Sequence, residues 1–472
     1  MTENPTIAKV TTEGLHEQFS FEIHLRPGLN ILYGKNGRGK TTLLHLLANI
    51  IELDLQRFNH IRFRRIALET SRGDIIEVAR EDNTSAPTLL LNRNLTSFNG
   101  SNGSLSAAEL SSLRNALGAR PTYLPAFRSI LERTRDYSSA RYSRPERLES
   151  EYEDVLRHEI ESIRECYVEE PRQNEAFRSR QSKEEAFAVA EKTVLCREWF
   201  GKFVPIIRYP SISDVEIALS EEWRRAAIET SSREQRMFEE SFVKIFRIVS
   251  GVESYPSSDS MENLLSSIST MLSEEDSLAS NPDSNNVYSD LLGTVKSIAS
   301  TDNKLQSVDN SLLELYRSIL EERNSERRKA FQKSQDFEAS INRFLDHKSL
   351  RIGVAQPRLR ARSQVSVSTE GGNSYGLSAL SSGERQILTM LYSASRTRYQ
   401  SGIFLIDEPE LSLHIDWQRI ILKELQNQSP RRQLIACTHS PEVGADHLLE
   451  TQDFIPESTP IKNDLNLDDE DL

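Results

Sequence analysis

Short apolar runs of strand length dominate the two ends of the chain, and helical spacing dominates its middle. Between residue 6 and about residue 92, the runs FSFEIHL, LNILYG, IRFRRIAL, DIIEVAR and TLLLN have the length and composition of β-strands. Strand-type runs return after residue 348 as SLRIGV, QVSVST, GIFLIDE and QLIACTH. This pattern predicts an α/β head that is folded from both ends of the chain.

The middle of the chain has the spacing of amphipathic helices. Helical patterns cover residues 146–170, about 172–200 and 214–250, and Ser, Asn and Asp dominate between about 253 and 302, where we expect short helices joined by loops. The last pattern steps through Leu305, Val308, Leu312, Leu315 and Ile319, and it resumes at Ala330, Phe337, Ile341 and Phe344. Such a stripe needs a partner, either an antiparallel helix of the same insertion or another subunit.

These changes of pattern predict four segments. Residues 1–135 form the first half of the head, residues 136–347 a long helical or coiled-coil insertion, and residues 348–450 the second half of the head. Residues 451–472 end in DLNLDDEDL and are predicted to be a disordered acidic tail.

Composition narrows the class of protein. The chain has 472 residues, 37% of them hydrophobic, and no run approaches the roughly 18 apolar residues of a membrane span. The sequence MTENPTIAKV lacks the features of a secretory signal, so we expect a cytoplasmic protein without a membrane partner. Three cysteines without a CxxC pair favour neither a disulfide framework nor a zinc site. A net charge of −13 argues against wholesale nucleic-acid wrapping, although a local basic groove stays possible.

Residues 34–41 read GKNGRGKT and match the phosphate-binding P-loop pattern. By chance the pattern would occur in about one chain in fifty of this length, but here it follows an apolar strand and opens an amphipathic helix. Lys40 is expected to reach the β- and γ-phosphates of ATP, and the Thr41 hydroxyl to bind Mg²⁺. The predicted nucleotide-binding residues of this segment are Gly34, Asn36, Gly37, Gly39, Lys40, Thr41 and Thr42.

Two acids end the apolar run GIFLID-Glu. The carboxyl edge of a parallel sheet is where ligands bind, so Asp407 is predicted to bind Mg²⁺, and Glu408 to polarise the attacking water. His439 follows the strand-type run QLIACT and is predicted to touch a phosphate. The plainer alternatives are a strand that happens to end in two acids and a structural histidine.

The segment LSSGERQ precedes another helical pattern. Ser381, Ser382 and Gly383 at a helix start would form a second anion-binding seat, suited to a γ-phosphate that arrives from outside. A common Ser-Gly turn before a helix is the equally simple alternative. Together these motifs predict an ATPase that uses ATP and Mg²⁺.

The order of the P-loop, LSSGERQ, LIDEPE and ACTHS resembles the ABC-type ATPase superfamily, in particular the soluble branch that includes SMC proteins and the overcoming-lysogenisation-defect ATPases. The resemblance covers roughly residues 1–130 and 348–445. It implies an ABC-type head in which LSSGE is the signature motif, SLH at 412–414 is the D-loop and His439 is the switch histidine. It also implies head-to-head homodimers with two sandwiched ATP molecules.

The sequence departs from the transporter pattern of that superfamily in several places. Ser382 and Glu384 stand where transporters usually carry Gly and Gln. No Q-loop glutamine is evident, since Gln56 comes too early, and Arg128 of YLPAFR is expected to sense nucleotide instead. For the aromatic residue that stacks on adenine, the candidates are Phe19 and Phe21.

Within this branch the chain most resembles the ATPase subunit of the PARIS anti-phage system, and next the ATPase subunit of Septu. The compact insertion, YLPAFR, FLDHKSLRI and SLHIDWQ carry this resemblance. It implies an oligomeric sensor and scaffold that holds a separately encoded nuclease, of Toprim or alternatively HNH type, and releases it on detecting a phage protein.

A DNA-repair or DNA-binding ATPase of SMC type is the alternative hypothesis. The basic runs RFNHIRFRR at 57–65 and PRLRARS at 357–363 favour it, because Arg358, Arg360 and Arg362 would share one strand face toward phosphates. A solvated strand face explains the same spacing, so charge alone does not separate the two classes.

Overall fold

A computed structural model describes residues 5–80, 87–92, 94–95, 107–133, 178–250, 261–278, 307–353, 364–395 and 402–458. The chain divides into two compact units. The first unit comprises Met1–Ile212 and Ser381–Leu472, and the second comprises Ser213–Leu380. The α/β head from both ends of the chain and the helical insertion are thus as predicted. Within the described residues, none of the helices has the length and apolar character to cross a membrane.

The strands are β1 (Ile7–Leu15), β2 (Phe19–His24), β3 (Leu29–Tyr33), β4 (Arg65–Thr70), β5 (Ile75–Ala79), β6 (Thr88–Leu91), β7 (Asn94–Leu95), β8 (Thr122–Leu124), β9 (Lys348–Ile352), β10 (Val365–Thr369), β11 (Ser374–Tyr375), β12 (Phe404–Asp407), β13 (Leu434–Thr438), β14 (Thr451–Asp453) and β15 (Glu457–Ser458). The helices are α1 (Lys40–Glu52), α2 (Ala107–Leu117), α3 (Arg128–Arg133), α4 (Arg178–Phe200), α5 (Ile212–Val249), α6 (Met261–Leu278), α7 (Ser307–Asn342), α8 (Ser382–Ser395), α9 (Ile415–Gln428) and α10 (Pro441–Gly444). Short 3₁₀ helices span Leu55–His60 and Leu377–Ala379.

A parallel sheet forms the centre of the first unit, with strand order β14-β3-β13-β12-β8. Every residue of β12 and β13 is buried, as expected for strands covered on both faces. The register pairs Asp407 with Cys437 and Thr438 with Tyr33. Because the strands are parallel, the carboxyl ends of β3, β13 and β12 meet at one edge, and the predicted site residues follow these ends.

A second sheet of the first unit is antiparallel, with order β15-β2-β1-β4-β5-β6-β7. Helix α1 is nearly all buried, which explains its continuous apolar sequence rather than a single stripe. The buried carboxylate of Glu52, at the end of α1, pairs with Arg208, whose Nη2 lies 3.0 Å from Glu52 Oε2. This ion pair joins the segment after α4 to the end of α1.

The second unit combines long helices with the antiparallel sheet β11-β10-β9. Within this unit, helix α6 packs on α7. The contact is a buried apolar cluster of Leu265, Ile268 and Leu320, flanked by Met271, Leu313 and Tyr316. The α7 residues of this cluster each follow a residue of the predicted stripe by one position, so an intrachain partner for the stripe itself stays a prediction.

The segment boundaries differ from the predicted ones in three places. Helix α4 belongs to the first unit rather than to the insertion. Strands β9 and β10 belong to the second unit rather than to the head, because they pair only with each other and with β11 among the described strands. The predicted tail begins with two strands, since β14 pairs with β3 and β15 with β2. Residues 146–170, the run at 357–363 and residues 459–472 lie outside the described residues.

Candidate active site

The P-loop lies between β3 and α1, as the sequence predicts. Gly37 and Gly39 have φ angles of 76° and 92°, a left-handed conformation that favours glycine. Gly34 is required for a different reason: a Cβ there would lie 2.9 Å from the backbone oxygen of Phe454. The loop therefore has the backbone freedom and the helix N-terminus of a phosphate-binding cradle.

Lys40 is the first residue of α1, and its side chain is only 5% exposed. Its Nζ donates hydrogen bonds to the carbonyl oxygens of Gly34, at 2.6 Å, and of Lys35, at 3.1 Å. Nζ also lies 3.9 Å from Glu408 Oε1. The ammonium group is thus held across the loop, beside the acid that was predicted to activate water.

Thr41 and Asp407 meet where α1 begins and β12 ends. The Thr41 hydroxyl donates to Asp407 Oδ2 at 2.8 Å, and Asp407 is fully buried. Burial raises the pKa of Asp407 to about 6, whereas the hydrogen bond from Thr41 acts in the opposite direction. Asp407 Oδ1 is buried and makes no hydrogen bond with any described residue. A hydroxyl and a carboxylate with a spare oxygen fit Mg²⁺, which prefers hard oxygen ligands.

Glu408 and His439 are brought together, although 31 positions separate them in sequence. His439 Nδ1 is hydrogen-bonded to Glu408 Oε2. Burial and the nearby Glu410 carboxyl raise the pKa of Glu408 to about 7, while His439 opposes that shift. Glu408 also has a φ of 47°, in the left-handed region that non-glycine residues seldom adopt. A carboxylate of this kind, half-buried and in contact with an imidazole, can accept a proton from water.

An open cavity of about 500 Å³ is lined by the P-loop, Glu408 and His439, whereas the buried Asp407 is not among its described lining residues. Its described lining consists of His16, Phe19, Asn36, Gly37, Gly39, Lys40, Thr41, Thr42, Glu408, Leu411 and His439. Of the two aromatic candidates, Phe19 lines this cavity, whereas Phe21 is 8% exposed and packs against Phe454 with ring centroids 5.1 Å apart. His16 was not anticipated from the sequence; it lies in the turn between β1 and β2 and carried no motif signal.

The predicted signature residues lie elsewhere. Among the described residues that line the cavity, none belongs to LSSGERQ. Ser381 caps α8, because its Oγ accepts from Glu384 N at 3.3 Å, while Glu384 Oε2 accepts from Ser381 N at 2.6 Å. A Cβ on Gly383 would lie 2.9 Å from the Ser412 backbone oxygen, so this glycine permits close packing on the predicted D-loop. Ser381 and Ser382 are exposed at the start of the helix.

Arg128 has a different position from the nucleotide-sensing one expected for it. Its side chain is fully buried, and its guanidinium donates to the backbone oxygens of Asp407 at 2.9 Å, Glu408 at 2.8 Å and Pro409 at 3.1 Å. It also donates to the Pro125 oxygen at 3.2 Å. Because these carbonyls follow the end of β12, Arg128 fixes the backbone that carries both acids.

We expect the Arg128→Lys substitution to lower the free energy of unfolding by about 2 kcal/mol, because an ammonium group cannot reproduce the planar fork and leaves buried carbonyls unpaired. ATP hydrolysis should fall, while ATP affinity should stay within about threefold of the unchanged protein. Urea unfolding and ATP titration measure the two quantities. Arg62→Lys, at an exposed position, is the control. A large loss of ATP affinity at unchanged stability would instead support the nucleotide-sensing role.

A family model described as the AAA ATPase domain matches residues 7–443. The Retron Vc95 probable ATPase of Vibrio cholerae serotype O1 biovar El Tor is 52% identical over 42 residues, which are 9% of this chain and 8% of that protein. This match therefore spans a small part of either chain.

Solved structures of Smc head domains are also similar to the chain. The Smc head domain with an extended coiled coil from Pyrococcus furiosus, bound to the C-terminal domain of ScpA, has a TM-score of 0.38 and 12% identity, covering 94% of this chain and 92% of that one. The head domain with a coiled coil and joint from Pyrococcus yayanosii has a TM-score of 0.36 and 13% identity, with coverage of 94% and 93%. The family match extends over most of the sequence and includes the P-loop, both acids and His439. The chain belongs to the AAA ATPase domain family.

Proposed function

We propose that the chain is a Mg²⁺-dependent ATPase that works as a head-to-head homodimer, in which the signature residues of one copy complete the ATP site of the other. The observation that carries this proposal is the separation between the two anion-binding segments. The P-loop, Glu408 and His439 share one cavity, whereas Ser381 and Ser382 lie outside it and are exposed at a helix start. A helix N-terminus facing solvent can bind a phosphate that a second molecule brings.

The residues of the cavity have distinct roles in this proposal. Backbone N–H groups of the P-loop and the Lys40 ammonium bind the phosphates, and Thr41 with Asp407 holds Mg²⁺. Bound Mg²⁺ supplies charge neutralisation at the phosphate oxygens. Glu408 orients the attacking water and accepts its proton, and His439 hydrogen-bonds to Glu408 and faces the same cavity.

A mixing experiment tests the shared site. Lys40→Ala removes the P-loop lysine and leaves the signature intact, whereas Ser382→Arg places a bulky cation on an exposed signature residue and leaves the P-loop intact. Each variant alone is expected to hydrolyse ATP poorly. A mixture should recover activity, because hybrid dimers contain one site with an intact P-loop and an intact signature. If activity stays absent in the mixture although hybrid dimers form, the site does not depend on a second copy in this way.

The wider role that we propose is that of a sensor and scaffold subunit in an anti-phage defence system. Such a subunit holds a separately encoded nuclease, of Toprim or HNH type, and releases it when a phage protein is detected. The resemblance of YLPAFR, FLDHKSLRI and SLHIDWQ to the PARIS and Septu ATPase subunits supports this proposal. A second support is the short match to a protein that is named as the probable ATPase of a retron.

One observation weakens the alternative of a DNA-binding ATPase. In the basic run at 57–65, Arg57 lies 3.2 Å from Asp54, Arg62 lies 3.3 Å from Glu17, and Arg65 lies 2.8 Å from Glu77. These guanidinium groups are paired with carboxylates of the same unit, so their charge is already compensated. The run offers less positive potential to a DNA backbone than its sequence suggests.

Co-purification tests the proposed role. Tagged Glu408→Gln protein is expressed from its native gene neighbourhood, and the material that co-purifies is identified by mass spectrometry and sized. A stoichiometric nuclease in a large assembly is the expected result, and Lys40→Ala protein is the matched control. Recovery of a lone dimer that binds duplex DNA in a salt-dependent way would contradict the scaffold role and support the DNA-binding alternative.

A further inference from the structure

Glu410 joins the ends of two neighbouring strands. It lies three residues after Asp407, in the loop that leaves β12, and it is 5% exposed. Its Oε1 accepts three hydrogen bonds, from Thr438 Oγ1 at 2.6 Å, from His439 N at 3.1 Å and from Ser440 N at 3.0 Å. All three donors lie at the end of β13, which is the parallel neighbour of β12. One carboxylate oxygen therefore ties the loop after β12 to the loop that carries His439.

The same oxygen also lies near the imidazole ring. Glu410 Oε1 is 3.3 Å from His439 Nδ1, and that nitrogen is hydrogen-bonded to Glu408. The backbone and the ring of His439 are thus restrained by one side chain. His439 lines the phosphate cavity, whereas Glu410 is not among its described lining residues.

Burying a carboxylate costs desolvation free energy. The hydrogen bonds of Glu410 therefore indicate why a carboxylate is present at this position. An isolated buried charge costs many kcal/mol, and hydrogen bonds from N–H and O–H donors offset that cost. If this position served only for packing, a neutral side chain could fill the space at a lower free-energy cost of burial. A carboxylate is suited to gather several donors at once, and here it gathers consecutive donors on both sides of the histidine Cα.

We propose that Glu410 is a positioning residue for ATP hydrolysis, which acts through His439 by fixing the backbone of residues 438–440 and the ring orientation. This inference rests on the proposed role of His439 at the phosphate cavity. Glu410 has no contact with the nucleotide in this proposal. Its loss should therefore affect turnover more than ATP binding.

A double-mutant cycle separates positioning from simple structural support. Glu410→Ala and His439→Ala are each expected to lower kcat, by about tenfold or more and by about 100-fold respectively. The KM for ATP should change by less than about threefold. The cycle is measured well above the pKa of Glu408, where loss of the neighbouring Glu410 carboxyl does not itself change the protonation of Glu408. Because the first residue acts through the second, Glu410→Ala should then have little further effect on kcat when His439 is already Ala. Glu442→Ala, which removes a partner of Arg419 outside the cavity, is the unaffected control.

Three results would overturn the proposal. Independent, multiplying effects on kcat would show that Glu410 does not act through His439. A loss of activity that follows the loss of folded protein, measured by thermal unfolding, would assign Glu410 to stability alone. Wild-type activity of His439→Ala by itself would instead remove the proposed role of the histidine, and the inference would fall with it.

Glu410→Gln keeps the test usable if the alanine variant does not fold. An amide oxygen can still accept from Thr438 Oγ1 and from the two backbone N–H groups, while the negative charge beside His439 is lost. We expect kcat of Glu410→Gln to lie between those of the wild type and Glu410→Ala, with KM unchanged. Two results together would show that the charge has no positioning role. The folded Glu410→Gln protein would retain the full wild-type kcat, and His439→Ala would lower kcat by the same factor in Glu410→Gln as in wild type.

Discussion

Glu408→Gln protein is expected to bind ATP and to hydrolyse it about 10² to 10⁴ times more slowly than wild type, because an amide cannot accept a proton from water. The change keeps the size of the side chain, and Gln can still hydrogen-bond to His439. ATP binding should be preserved, since the P-loop, Lys40 and the Thr41–Asp407 pair stay intact. Trapped ATP should also stabilise the proposed homodimer.

Phosphate release under saturating ATP measures the loss of turnover, and light scattering with and without ATP measures the dimer. Glu22→Gln is the matched control, because Glu22 lies on β2 in an exposed pair with Lys9. Hydrolysis at the wild-type rate in Glu408→Gln would show that Glu408 is not the base. Slow hydrolysis without any ATP-dependent dimer would leave the base assigned and would contradict the shared site.

Lys40→Ala is expected to abolish measurable ATP binding. The Lys40 side chain is 5% exposed and its ammonium group is held by the Gly34 and Lys35 carbonyls, so it is positioned at the loop where phosphate oxygens would bind. Truncating one partner of a buried charge pair costs about 2 to 5 kcal/mol, which weakens affinity at least about thirtyfold. Titration with a fluorescent ATP analogue measures this loss.

Lys9→Ala is the control for Lys40→Ala, because Lys9 is a partly exposed lysine of the first unit that pairs with Glu22. Its ATP affinity should match that of wild type. Near-normal ATP affinity in the Lys40→Ala protein would mean that the cavity beside β3 is not the nucleotide site. A general loss of folding, seen as an altered circular dichroism spectrum, has to be excluded first.

The motifs could be predicted from the sequence because their chemistry is local. Gly37, Gly39, Lys40 and Thr41 are close in sequence, and an apolar strand followed by a helical pattern places such a loop at a sheet edge. Asp407, Glu408 and His439 required one further rule, that parallel strands end at the same edge. With these two rules the common location of Thr41, Asp407, Glu408 and His439 at one sheet edge could be predicted, whereas the hydrogen bonds between them could not.

Strand pairing limited the prediction of the two units. A run such as QVSVST indicates a strand but does not identify the sheet to which the strand belongs. The alternation of apolar and polar residues shows which face of the strand is buried, but not which strand pairs with it. Strands β9 and β10 were for that reason assigned to the head, although they pair with each other and with β11 in the second unit. Strand β14 has only three residues, too few for a pattern, yet it completes the sheet beside β3.

Long-range contacts of single polar residues could also not be predicted from the sequence. Arg128 was predicted to sense nucleotide, but its hydrogen-bond partners are backbone carbonyls 279 to 281 positions away. Every residue has a backbone carbonyl, so the pattern of side chains cannot indicate such a partner. Glu410 stands in the run LIDEPE, yet its three donors follow a different strand. Placing Arg128 correctly required the pairing of β8 with β12, and placing Glu410 required the pairing of β12 with β13.

The left-handed backbone conformation of Glu408 implies that thermal stability and ATP hydrolysis place opposite demands on this residue. A non-glycine residue at a φ of 47° costs about 1 kcal/mol or more relative to glycine, and the protein tolerates that cost at the position of its proposed base. Replacement by glycine would relax the backbone and remove the half-buried carboxyl, so the inactive protein should withstand heat better than the active one. Selection for a more heat-resistant protein would therefore tend to remove activity at this residue, whereas selection for ATP hydrolysis retains the strain.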